Sequence, residues 1–162
     1  MLSNTHKTKD KGFTIIEVLI VLAIAGLILL VVFLAVPALQ RNARNTTRKS
    51  DVASILAGIS EYVNNNDGTQ PANQATMGTG NTATIGSSGN TVDVKLGAYK
   101  SDQLSSTTTV ATANPNDVNK VVIVYGGKCD TTTIGNSVAG GPSRGFVALY
   151  TLEPATKLCQ AS

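Results

Sequence analysis

The sequence predicts an α+β chain: one long N-terminal α-helix, apolar in its first half, with a small antiparallel β-sheet head packed on its C-terminal half. Three observations point there. Residues 13–39 are apolar apart from Thr14 and Glu17. Val52, Ile55, Leu56, Ile59, Tyr62 and Val63 then recur at helical spacing on one face. Compact β-branched and aromatic runs crowd the last part of the chain, V-V-I-V-Y at 121–125 and G-F-V-A-L-Y-T-L at 145–152. The 162 residues suffice for one domain plus one long apolar element.

The elements follow in order. Residues 1–12 are polar and basic, with Lys7, Lys9 and Lys11. From Val18 to Val36 there is no polar side chain. Together with its apolar flanks, that run is long enough for a helix to span the roughly 30 Å hydrocarbon layer of a membrane. A cleavable secretory signal has an apolar stretch of about 7–15 residues ending at small residues. This run is longer, and no A-x-A site follows before Arg41.

The helical pattern does not stop there. Arg48, Lys49, Asp51 and Glu61 lie off the stripe at 52–63, so a single helix is expected from about Phe13 to Val63. Pro37 removes a helix hydrogen bond and is expected to kink or loosen the rod, with Gly26 as the other soft point. Both residues are also tolerated in ordinary membrane helices. N-N-N-D-G at 64–68 supplies the stop. Residues 69–91 read as a polar, Gly-rich loop with little to bury, for which disorder is the alternative. Strands are expected at 121–125, 145–152 and 156–160, with T-V-D-V-K-L at 91–96 opening or covering the sheet.

Composition narrows function. A net charge of +3 is too small for a nucleic-acid footprint. The one histidine, His6, lies in the polar leader, so nucleophilic triads lack a base in the rest of the chain. The acidic residues after the apolar run are scattered, and neither a P-loop nor a paired-histidine zinc-protease motif is present. No catalytic residue, metal or cofactor is expected. Cys129 and Cys159 are two where a zinc site needs about four ligands. They read as one disulfide, which implies an oxidising, extracytoplasmic compartment. Two small buried thiols are the alternative.

At Lys11-Gly12-Phe13-Thr14-Ile15-Ile16-Glu17 the chain resembles the processing motif of type IV prepilins. The shared pattern is a short basic leader ending in Gly, then Phe-Thr, then Glu, then a long apolar run. The resemblance implies cleavage between Gly12 and Phe13 by a prepilin peptidase on the cytoplasmic side, followed by methylation of the new amine on Phe13. It divides the chain into a leader (1–12), a transmembrane and filament-core helix (13–39), an amphipathic helix of the head (40–63) and a globular head (64–162).

The implied function is that of a structural subunit of a type IV pilus, with adhesion, twitching motility or DNA uptake as the filament's role. The implied partners are copies of the chain itself in a helical homopolymer, the peptidase, the pilus assembly platform, the cell membrane before assembly, and host or abiotic surfaces or DNA afterwards. The precursor would sit in the membrane with its leader inside, and the product in an extracellular pilus. Charge alone leaves that orientation open, because Arg41, Arg44, Arg48 and Lys49 flank the far end of the span. A minor pilin, a pseudopilin of a secretion or competence system, and a membrane-anchored adhesin that never polymerises are the alternatives.

The resemblance also gives Glu17 a purpose. A charge in hydrocarbon is costly and normally paired. In a packed filament Glu17 is expected to meet the Phe13 amine of a neighbouring subunit and fix axial register, as buried polar groups do in coiled coils. The alternative is a carboxylate that snorkels to the cytoplasmic interface. Gly26 and Pro37 bracket the segment that the resemblance implies loses helical order in the filament, which gives extensibility. The polar loop at 131–145, between the cysteines, is expected either to contact other subunits or a target surface, or to be plainly solvated.

Overall fold

The computed structural model describes residues 12–71, 80–86, 90–100, 103–107, 111 and 117–162. Residues 1–11, most of the expected leader, and residues 72–79 and 87–89 of the stretch expected as a Gly-rich loop lie outside the described residues. The chain forms two compact units, Met1–Gln40 and Arg41–Ser162.

Helix α1 runs from Ile15 to Asn65. In the first unit its large side chains, from Ile15 through Leu39, are exposed around the whole circumference. This helix is long and apolar enough to cross a membrane. Pro37 lies inside it, and helical structure continues on both sides.

In the second unit the same helix becomes one layer of a two-layer head. Val52, Ile55, Leu56, Ile59, Tyr62 and Val63 are buried, which is the stripe read from the sequence. Asn66 and Gly68 close the end: the Asn66 side chain donates to the Tyr62 carbonyl at 2.8 Å and the Gly68 amide to the Val63 carbonyl at 2.8 Å, capturing acceptors that a helix end leaves open.

The strands are β1 (Thr82–Ile85), β2 (Val92–Lys95), β3 (Leu104–Thr107), β4 (Val121–Tyr125), β5 (Gly127–Cys129), β6 (Ser137–Ala139), β7 (Phe146–Leu152) and β8 (Thr156–Ala161). The main sheet has the order β3-β4-β7-β8, and two ribbons, β1-β2 and β5-β6, accompany it. β4 pairs with β7 antiparallel, Val121 opposite Tyr150 and Tyr125 opposite Phe146. β8 follows antiparallel, and β3 joins the other edge in parallel.

The pleat sorts side chains to two faces. Val121, Ile123, Tyr125, Phe146, Ala148, Tyr150 and Leu152 share a core with the helix stripe and with Ala83, Ile85 and Val94 of the first ribbon. Val124, Val147 and Leu149 point the other way, with Ala111, Val122, Cys129 and Cys159 packed on them. Every residue of β7 is buried, which explains its nearly continuous apolar run.

The α+β class and the strands expected at 121–125, 145–152 and 156–160 are found. Three features differ from the expectation. T-A-T-I, read as loop, is β1: it buries only Ala83 and Ile85, and its threonines disguise the alternation. L-S-S-T carries one large apolar residue, Leu104, and is recruited by the backbone of β4. Within 131–145, Ser137–Ala139 is a strand whose partner is β5.

Candidate functional site

The start of the helix is built by Thr14 and Glu17. Helix N-termini leave backbone amides without intrahelical acceptors. Thr14, just before Ile15, accepts the Glu17 amide on its hydroxyl at 3.4 Å. Glu17 reaches back, and its Oε2 accepts both the Thr14 amide and the Thr14 hydroxyl at 2.8 Å. This is a reciprocal capping box, Thr-x-x-Glu, and it explains why the helix begins at Ile15. The carboxylate also lies in the first turn, where the helix dipole favours negative charge.

Phe13 is 89% exposed, and nothing approaches the α-carbon of Gly12 closely enough to block a side chain there. Phe13, Glu17, Val18, Val21 and Leu22 line a shallow groove along one side of the helix start. So the structure brings Gly12, Phe13 and Glu17 together at one exposed helix end. Gly26 lies in the same exposed apolar stretch and has open space around its α-carbon.

A second polar cluster lies in the head. Glu153, in the turn between β7 and β8, receives Arg44 through two bonds of 3.0 and 2.8 Å. Arg48 adds a third at 2.9 Å. The Asn45 side chain brackets the same residue, donating to the Glu153 carbonyl at 2.9 Å and accepting from its amide at 3.0 Å. Arg44 and then Arg48 hold the Glu153 carboxyl down at about 2. Asp51, buried on the helix three residues after the buried Arg48, accepts the amides of Gly97, Ala98 and Tyr99 at 2.9, 2.7 and 3.0 Å. These groups fix the sheet and its incoming loop to the helix.

Cys129 on β5 and Cys159 on β8 form a disulfide, with α-carbons 5.6 Å apart. It ties the second ribbon to the edge of the main sheet. Among the described residues, no group of three His, Cys, Asp or Glu side chains gathers as metal ligands would.

Sequence reasoning missed three of these roles. Thr14 was legible in principle, because Thr-x-x-Glu before an apolar run is a capping-box signal. Glu153 and Asp51 had no such signal, since their partners are distant in the chain.

Residues 7–33 match a family model described as the prokaryotic N-terminal methylation motif, the signature of type IV prepilin-like proteins. The match ends within the helix and does not extend to the head. No curated protein and no solved structure matched the chain. The motif and the apolar helix behind it fit a type IV pilin-like protein.

Proposed function

We propose that this pilin-like chain is a structural subunit of a type IV pilus, cleaved after Gly12, methylated on the Phe13 amine, and polymerised through its N-terminal helix. The observation that supports it most is the helix start: Gly12, Phe13 and Glu17 lie together on an exposed helix end that leads into an apolar stretch with no intramolecular cover. A membrane covers that stretch in the precursor, and neighbouring subunits would cover it in the filament. Exchange between the two costs little, because lipid tails are about as apolar as the helices.

Glu17 has the chemistry for the register role. Both Thr14 donors fall on Oε2, and neither is lost on cleavage before Phe13. Oε1 remains available to the ammonium that cleavage creates on a neighbouring subunit. A charge pair inside an apolar bundle is strongly favoured over either charge alone. In this reading the leader stays cytoplasmic, the head with its disulfide is extracytoplasmic, and Gly26 and Pro37 make the helix extensible.

The test is mass spectrometry of the N-terminal peptide from material sheared off cells. An abundant peptide beginning at methylated Phe13 is expected. Protein retained in the membrane fraction with residues 1–12 intact would sink the reading in favour of an anchored, non-polymerising protein. A processed chain that is scarce in sheared material would instead assign it as a minor pilin or pseudopilin.

A further inference from the structure

The helix segment that follows the apolar run carries more positive charge than the head neutralises. Leu39 is the last large exposed apolar side chain of that run. Arg41, Arg44, Arg48 and Lys49 come next. Arg41, Arg44 and Arg48 are spaced three and four residues apart, so they share one face of α1, the face that further on buries Val52 and Ile55.

One carboxylate of the sheet meets this face. Glu153 accepts Arg44 Nε and Arg48 Nη1 on Oε1 and Arg44 Nη2 on Oε2, so both of its oxygens are engaged. Asp51, on the same helix, is turned to the amides of residues 97–99. Four cations thus stand against two carboxylates, which leaves a surplus of two positive charges. Arg41 presents that surplus most openly. It is exposed, and among the described residues it has neither an ion pair nor a side-chain hydrogen bond. Arg44, one turn on, keeps 50% of its side chain exposed although Glu153 engages it. Lys49 is exposed as well, but it lies off the arginine face and about 12 Å further along the helix than Arg41.

A cation that directly follows a membrane-spanning run is placed at the headgroup layer. Long basic side chains lay their stems along apolar surroundings and set the charge in the polar region. Headgroups offer phosphate there, and a guanidinium fork matches a phosphate with two N–H donors. A surplus of positive charge favours lipids of net negative charge over zwitterionic ones.

We propose that Arg41, with Arg44 behind it, binds the phosphate of an anionic phospholipid while the chain is in the membrane. The proposal rests on the reading that the apolar run crosses a bilayer, and it adds the lipid class that the chain selects. Transfer of the chain into a filament would break this contact, so anionic lipid would favour the membrane-held pool. The test places the full chain in nanodiscs containing equal amounts of phosphatidylglycerol and phosphatidylcholine. Native mass spectrometry then identifies the lipids that stay bound on release. Phosphatidylglycerol should be retained preferentially. Arg41→Gln should lower that preference about fivefold, the effect of one cation at an anionic surface. Arg41→Lys should keep part of it, and Lys49→Gln should leave it unchanged. Neither residue has a partner among the described residues of the head, so thermal unfolding should be the same in all three variants. Equal retention of the two lipids, an unchanged preference in Arg41→Gln, or an equal fall with Lys49→Gln would overturn the site and leave the membrane reading standing. Loss of the preference in inorganic phosphate at matched ionic strength would also overturn it, in favour of a free-anion site. If the chain does not enter the nanodiscs, the membrane reading fails and the lipid contact falls with it.

Discussion

Glu17 and Glu153 are both carboxylates with close partners, and they differ in what the chain alone provides. Glu17 is served by Thr14, three residues away, so its position is settled locally. Glu17→Ala should remove the cap and, on the proposed filament reading, the register charge with it. Membrane insertion should persist while sheared filaments disappear, checked by comparing membrane and sheared fractions. Glu153 depends on Arg44 and Arg48, which hold its folded pKa at about 2, below its ordinary 4.5. A depressed carboxyl contributes stability that is complete above pH 4.5 and is lost as pH falls through about 2. Acid titration of the full chain in detergent, followed by circular dichroism, should show destabilisation across that window. Glu153→Gln should be less stable at neutral pH and should lose that part of the pH dependence. Asp51→Ala would leave the amides of residues 97–99 without their acceptor, at a cost of about 1–3 kcal/mol. Thermal unfolding measures it, and Asp51→Asn, which keeps one acceptor oxygen, should recover part of the loss.

At the scale of elements, the helix and the first ribbon meet at Gly58. A β-carbon there would lie 2.5 Å from Val94 Cγ2 and 2.8 Å from Ile85 Cδ1. Two terms oppose each other in Gly58→Ala. Alanine gains about 1 kcal/mol of helix propensity. Overpacking against a stiff valine costs about 1–3 kcal/mol. The packing term should win, giving a net loss of about 1 kcal/mol in thermal unfolding. Gly58→Val should lose more, and amide exchange should then speed up in residues 82–95, where the ribbon lifts first. A Tm equal to or above wild type in Gly58→Ala would show that the ribbon yields instead. The helix stripe was legible because burial repeats at the helical period. β1 and β3 were not, because Thr82, Thr84, Ser105 and Ser106 hide the apolar alternation, and the partner strands that select these segments lie elsewhere in the chain.

For the whole molecule, the disulfide sets how firmly the second ribbon stays on the sheet. Its cysteines are 30 residues apart. Closing a loop of that size contributes about 3–4 kcal/mol in the chain-entropy account. Replacing both cysteines by serine should lower stability by about that much and speed proteolysis within residues 130–145, read by limited digestion. The ribbon also covers Val124, Val147 and Leu149, so its release would expose apolar sheet surface. Aggregation of the variant under native conditions is the second readout.

By itself the sequence determined the helix, its change from uniformly apolar to one-sided, the processing signature at its start, and the strands rich in Val, Ile, Phe and Tyr. All of these are local: a period, a spacing or a short motif contains the whole signal. Only the tertiary structure decided that Glu153 is the partner of Arg44 and Arg48, that Asp51 caps a loop nearly fifty positions away, and that β3 runs parallel to β4. Those arrangements join residues that are far apart in the chain, and burial and hydrogen-bond geometry select them only once the layers have packed.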